Sequence, residues 1–344
     1  MDIFDYQKVY EKLKNGEDVV PVSREEAIMM ALIKKLGGSG GESGWSLKQV
    51  LDFTKSAVNL FANLYDIETL PDGIIQKTDT SNVGTTYGMF SNCQALKTIP
   101  ELDTSNVRNM GCMFRGCAAL ETIPELDTSN ATEMSIMFRG GAALETIPEL
   151  DTSNAISMAE MFRECTALKT IPELDTSNVT DMTNMFKGCA ALETIPELDT
   201  SNVINMAEMF RECTALKTIP ELDTSNVPAM YDTFRGCAAL ETCLLKNIQC
   251  VGINLSYSPL LTLDSLIYII KELRNTGSSK TLTLGSTNKA KLSDTYVKLV
   301  TITDDMRAAD DLIDEKLPFE VCESTDDGAM LITSYVTKKN WKLA

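Results

Sequence analysis

The tetrapeptide Asp-Thr-Ser-Asn begins at Asp79, Asp103, Asp127, Asp151, Asp175, Asp199 and Asp223, always 24 residues apart. A short, fixed period confines the chain to an array in which each unit buries its apolar face only against its neighbours. The units span residues 78–245 and share the pattern LDTSNVxxMxxMFRxCxALxTIPE. Val107, Met110, Met113, Phe114 and Cys117 recur at helical spacing, so the unit is expected to hold a helix of about three turns, with Ser105 or Asn106 as its N-cap. Leu120, Ile123 and Leu126 place an apolar residue at every third position of a short extended stretch. Pro100, Pro124, Pro148, Pro172, Pro196 and Pro220 each remove an amide donor there, so the parallel sheet should be narrow. The expected fold class is an α/β repeat, and seven coils at about 4.8 Å give a sheet edge of roughly 34 Å.

Asn178-Val179-Thr180-Asp181-Met182, followed by Met185-Phe186, Cys189 and Leu192, resembles the leucine-rich-repeat variant of the BspA-like bacterial surface proteins. The resemblance extends over all seven units. It implies a leucine-rich-repeat-like solenoid used for adhesion and host-surface contact, a binding scaffold tied to no single reaction.

Residues 1–36 are expected to form a helical anchor or oligomerisation segment, with a capping box at Ser23-Arg24-Glu25-Glu26. Residues 37–44 are a Gly/Ser linker. Residues 45–77 are expected to form a helical N-terminal cap, residues 78–245 the solenoid, and residues 246–344 a small α/β cap with a helix over Leu263–Arg274 and a strand from Lys280. The stretch TLTLGSTNKAKLSDTYV and the closing Asn340-Trp341-Lys342-Leu343-Ala344 are similar to tails that follow such repeats in phage and prophage structural proteins. That similarity implies a virion component.

The chain contains no histidine, which excludes Ser-His-Asp and Cys-His catalysis and imidazole-based metal sites. Its net charge of -18 opposes nucleic acid and anionic membranes as partners. The start at Met1-Asp2-Ile3-Phe4-Asp5 lacks the features of a secretory signal, and no run of apolar residues is long enough to span a bilayer. A virion protein, assembled in the host cytoplasm and released by lysis, needs neither.

Three columns of the repeat are candidates for chemistry. Cys93, Cys117, Cys165, Cys189, Cys213 and Cys237 share a position that Gly141 occupies in the third unit. Helices on neighbouring coils would hold these cysteines about 8–10 Å apart, beyond disulfide reach, so a buried, reduced core column is expected. Asp103, Asp127, Asp151, Asp175, Asp199 and Asp223 form an acidic ridge, two residues after a glutamate column. The ridge could contact a ligand or share Ca²⁺ ions. It could equally be a solvated edge, partly balanced by Arg115, Arg139, Arg163, Lys187, Arg211 and Arg235. The Asn82-to-Asn226 column reads as a backbone-satisfying ladder. Gly37-Gly38-Ser39-Gly40-Gly41 fits GxSxG but lacks the flanking strand, helix and histidine of a nucleophile elbow. No catalytic, cofactor or metal residue is assigned.

The function expected from the sequence is therefore that of a non-enzymatic bacteriophage virion protein, a fibre or decoration. Its N-terminal region would join other capsid or tail proteins and assemble a homo-oligomer, with a trimer as the form to test. Its coils would meet a host-surface glycan or protein through variable positions such as Arg108, Thr132, Ile156, Thr180 and Ile204. The alternatives are a bacterial surface or intracellular interaction scaffold, and a purely structural capsid decoration.

Overall fold

The computed structural model describes residues 57–63, 65, 68–69, 82–274, 280–299, 319–322, 330–332, 336 and 341–343. The helical anchor expected over residues 1–36, the linker over 37–44 and the start of the N-terminal cap lie outside the described residues.

The repeat units stack as coils, each named here by its Asp-Thr-Ser-Asn, so that coil 1 starts at Asp79 and coil 7 at Asp223. A parallel bridge links each coil to the next through Thr85, Asn109, Glu133, Ser157, Asp181 and Asn205 in turn. One phenylalanine per coil stacks on the next, from Phe61–Phe90 at 5.3 Å between ring centroids to Phe210–Phe234 at 6.2 Å. Val107, Met110, Met113, Phe114, Cys117, Leu120 and their equivalents fill the interior. Such a core is one residue column repeated, and each side chain packs on its own counterpart.

The helix expected in each unit is not formed. Its place is taken by a spiral of tight turns whose backbone bonds are shared with the neighbours. In coil 2 the amides of Met110, Cys112, Phe114 and Gly116 donate forward to the carbonyls of Glu133, Ser135, Met137 and Arg139, at 2.9, 3.0, 2.9 and 2.6 Å. The amides of Met113, Arg115 and Cys117 close turns onto Met110, Cys112 and Phe114 within the coil. The carbonyls of Asn109, Gly111, Met113 and Arg115 accept from coil 1. An α-helix would spend all these groups internally and stand about 8–10 Å from its neighbour. The spiral satisfies them at sheet spacing. On the other sides of the coil the direction reverses, and the amides of Arg108, Ala119 and Glu121 donate back to Gly84, Gln94 and Lys97.

Turning every second amide outward requires left-handed backbone at two positions per coil, four residues apart. They are Cys112 and Gly116 in coil 2, Asn184 and Gly188 in coil 5, and Glu208 and Glu212 in coil 6, with φ between 55° and 78°. At Gly116 a Cβ would also lie 2.7 Å from Asn92 Oδ1, so a larger residue there needs the Asn92 side chain to move as well as a left-handed backbone.

The stack begins before coil 1. Residues 57–63, expected to be helical as part of the N-terminal cap, form another spiral, with left-handed Asn59 and Asn63 and with amides 57, 59, 61 and 63 donating to Thr85, Tyr87, Met89 and Ser91. Their amides are committed to the next coil, which a helix would not allow.

Proline keeps the extended side of the coils from forming a continuous ladder. Among the described residues, strands appear there only at the C-terminal end, where β1 (Thr218–Asp223) pairs in parallel with β2 (Thr242–Lys246), whose sequence lacks the proline. The register shifts at Pro220, between Ile219 and Glu221. Helix α1 (Leu263–Glu272) then covers the open edge of β2. The Ser265 hydroxyl donates to the Cys243 carbonyl at 2.9 Å and accepts from its amide at 2.8 Å, so one side chain stands in for a missing strand.

β3 (Gly252–Leu255) pairs in parallel with β4 (Lys280–Leu284), and β4 with β8 (Trp341–Leu343). α2 (Ser286–Leu292) follows β4. β5 (Tyr296–Leu299) lies antiparallel between β6 (Phe319–Cys322) and β7 (Met330–Leu331). The Trp341 indole is buried and donates to the Arg274 carbonyl at 3.0 Å, tying the last strand to the end of α1.

Candidate binding surface

Each residue of the Asp-Thr-Ser-Asn corner has a structural task. Oδ1 of Asp127, Asp151, Asp175 and Asp199 accepts from the amide and the hydroxyl of the serine two residues on, at 3.0–3.1 Å and 2.6 Å. These bonds hold the Asp151, Asp175 and Asp199 carboxyls below the usual carboxylate range. Thr128, Thr152, Thr176 and Thr200 are buried and donate forward to the aspartate carbonyl of the next coil, at 2.8–2.9 Å. Asn130, Asn154, Asn178 and Asn202 donate back to the serine carbonyl of the preceding coil at 2.8 Å, the ladder expected of that column. Oδ2 of Asp127, Asp151, Asp175 and Asp199 has no hydrogen-bond partner among the described residues. These four aspartates thus form an exposed row with one unspent oxygen each, whereas Asp103 and Asp223 are half-buried and the Asp223 Oδ2 accepts from Asn247 at 3.1 Å.

A second acceptor column escaped the sequence reading. Asn109, Glu133, Asp181 and Asn205 each accept from the amide two residues later, at 2.8–3.1 Å, and Thr85 and Ser157 do so more loosely at 3.3 and 3.4 Å. These side chains satisfy the one spiral amide that neither neighbour takes. The signal was that this otherwise variable position carries a hydrogen-bond acceptor in coils 1 to 6, from Thr85 to Asn205, and loses it at Ala229 in coil 7.

Cys93, Cys117, Cys165, Cys189, Cys213 and Cys237 are buried, and none is in a disulfide. The spacing argument against disulfides fails, because the coils stand at sheet spacing. Instead, each thiol donates to the phenylalanine carbonyl of the preceding coil, as Cys189 does to Phe162 at 3.0 Å and Cys237 to Phe210 at 3.1 Å. Burial pushes the Cys165 and Cys237 thiols up to about 12. A column of protonated thiols is poor in nucleophiles and metal ligands alike. No group of three or more cysteines, aspartates or glutamates is gathered to hold a metal among the described residues.

The basic column does not balance the aspartates, as the sequence suggested. Arg139 pairs with Glu160 at 2.6 Å and Lys187 with Glu208 at 2.6 Å, across coils 3–4 and 5–6. Arg163 and Arg211 pair with the same two glutamates. On the returning side Lys169 meets Glu145 at 2.7 Å and Lys217 meets Glu193 at 2.6 Å, again across coils 3–4 and 5–6. Charge therefore groups these four coils into two pairs.

What remains exposed after these tasks is a short set of rows. Of the variable positions named from sequence, Arg108, Thr132, Ile156 and Ile204 are exposed and Thr180 half-buried, all in one row. Backbone hydrogen bonds between coils continue this row, from the amide of Thr180 back to Ile156, of Ile204 back to Thr180, and of Val251 back to Pro228. From coil 4 onward it reads Ile156, Thr180, Ile204, Pro228, Val251. Three residues further along the coils, a parallel row reads Ala159, Thr183, Ala207, Tyr231. Tyr231, Val251, Ile204 and Ile156, at 68, 62, 59 and 55% exposure, are the four most exposed large hydrophobic side chains among the described residues. All four fall in this lane. Among the described residues no helix is long and apolar enough to cross a membrane.

The profile of the family described as "Mycoplasma protein of unknown function, DUF285" matches residues 54–170 and again residues 142–247. The first match starts just before the spiral at residues 57–63, and the second ends just after β2. No curated protein matches the chain. The two matches together cover the whole stack of coils and more than half of the 344 residues, and the chain belongs to the DUF285 repeat family.

Proposed function

We propose that the stack is a leucine-rich-repeat-like solenoid of the BspA-like type, acting as a non-enzymatic binding scaffold. One observation carries this reading: the recurring residues are consumed by ladders within the coils, which leaves exposed rows of variable side chains as the part free to differ. In a repeat protein such rows meet the partner. The absence of histidine from the chain and the raised pKa values of the buried thiols leave little for a nucleophilic mechanism to use.

The context in which the scaffold works is proposed from the similarity of its tail to phage structural proteins: a virion fibre or decoration that presents the coils to a host surface. Quantitative mass spectrometry on gradient-purified particles, with the lysed host alongside, tests it. A fixed ratio to the major capsid protein is the expected result. Absence from particles would move the same scaffold to a bacterial surface or an intracellular assembly.

A further inference from the structure

In the lane, neither the row of Ile156, Thr180, Ile204, Pro228 and Val251 nor the row of Ala159, Thr183, Ala207 and Tyr231 beside it holds a charged side chain. The residues between the two rows are Ser157, Asp181 and Asn205, and each is turned to its own backbone. The Asp181 carboxylate is also held by the Thr183 hydroxyl, at 2.5 Å. In a chain with 23% charged residues, a strip that crosses coils 4 to 7 and reaches Val251 with Asp181 as its one carboxylate is an unusual surface. At about 4.8 Å per coil it runs for roughly 19 Å.

Its two borders differ in charge. On the spiral side stand Arg163, Lys187 and Arg211, whose guanidinium and ammonium groups are met by Glu160 and Glu208 at 2.6–3.1 Å. That border is close to neutral. On the other side, five residues back along each coil and around the Thr-Ser-Asn corner, stand Asp151, Asp175 and Asp199. No lysine or arginine pairs with them among the described residues, and each keeps one carboxylate oxygen free. A partner lying in the lane meets a floor of apolar side chains and threonines, in which the Asp181 carboxylate is hydrogen-bonded to Thr183, with one neutral wall and one row of unspent negative charge.

We propose that this lane docks an amphipathic segment of a partner protein, apolar along the edge that enters the lane and basic along the edge that turns the corner toward Asp151, Asp175 and Asp199. The proposal rests on the binding-scaffold reading and names the partner's chemistry. An acidic segment is repelled by the aspartate row, and an anionic membrane by the chain's net charge. Basic residues at intervals matching the coils meet one carboxylate each, and the apolar edge buries the isoleucines and Tyr231.

The test uses the full chain and three labelled synthetic peptides of about 20 residues. One has leucines at helical i, i+3, i+4, i+7 spacing with lysines elsewhere, one is a permutation without that spacing, and one replaces lysine with glutamate. Fluorescence anisotropy should show the first binding, with affinity falling as salt rises. The second should bind about tenfold more weakly, and the third not at all. The double variant Ile156→Thr/Ile204→Thr places in the lane the residue its row already holds at Thr132 and Thr180, so the fold is kept. It should weaken the first peptide about tenfold. Asp175→Asn/Asp199→Asn should flatten the salt dependence. Equal binding of the permuted peptide, or an unchanged Kd in the threonine variant, overturns the proposal. Co-sedimentation of the same proteins with host cells separates the two readings. If the threonine variant still sediments, the scaffold stands and the lane is not its contact. If neither protein sediments and no peptide binds, the scaffold reading falls too. Threonine-sensitive binding to a glycan or to neutral vesicles, with no peptide binding, replaces the segment by that class of partner.

Discussion

The left-handed positions are where single residues matter most. Glycine and asparagine adopt positive φ at little cost, and they hold these places at Gly88, Asn92, Asn184 and Gly188. Ile136 sits in one of them, at φ 64°, although its branched side chain is the kind that conformation penalises most. Ile136→Asn should therefore raise stability by about 1 kcal/mol, seen as a higher Tm in thermal unfolding. A drop would mean that the half-buried isoleucine contributes more through packing than it loses in strain.

The thiols set the alkaline limit. Cys165 and Cys237 ionise near their ordinary value of 9.0 when unfolded and near about 12 when folded. The folded state thus holds its protons longer. The stability this contributes is complete below pH 9 and is lost as pH rises toward 12. Urea midpoints should be flat up to about pH 8.5 and fall above it, while the column stays unreactive to a thiol reagent until the chain unfolds. At the acid end the sign reverses. Asp151, Asp175 and Asp199 are held below their usual range, so their contribution is present at neutral pH and disappears as pH falls through their folded values.

Among the elements, α1 works as a lid on an open sheet edge. Ser265→Ala would leave the amide and carbonyl of Cys243 buried without that partner, at a cost of about 2 kcal/mol in urea unfolding. The same substitution at the exposed Ser293 serves as the control and should cost less than about 0.5 kcal/mol. The elements also mark what could be read in advance. The repeat period, the apolar column of Met110, Met113, Phe114 and Cys117, the proline-limited sheet and the helix after Thr262 were all legible, because each follows from which residues face inward. The spiral was not. Apolar residues three and four apart have the same inward faces in a helix and in a run of tight turns, and the two differ in where the amides go. Glycine or asparagine recurring four residues apart, as at Asn184 and Gly188, was the available clue. Glu160, Glu164, Glu208 and Glu212 obscured it. The candidate surface was half legible: the row of Ile156 and Ile204 stood out as variable, while its lack of compensating charge on one border depends on ion pairs between coils.

For the molecule as a whole, stability accumulates coil by coil, and coils 3–4 and 5–6 are matched in charge. Deleting residues 175–222 removes two coils and leaves Lys169 facing Glu241, as Lys217 does in the intact chain. Deleting residues 175–198 removes one and sets Lys169 against Lys217. The shorter deletion should therefore be the less stable of the two, by about 1 kcal/mol at low salt, and the gap should close in high salt. Thermal unfolding of the two variants across a salt series measures it.

The opposed directions of the inter-coil bonds extend this modularity. In an α-helix every peptide dipole points the same way, and the aligned dipoles leave about half a charge of opposite sign at its two ends. Here the spiral amides point toward the C-terminal end while those of Arg108, Ala119 and Glu121 point back, and the two columns largely cancel. Coils can be gained or lost without changing the electrostatics of either terminus. Length then carries no electrostatic penalty at either end.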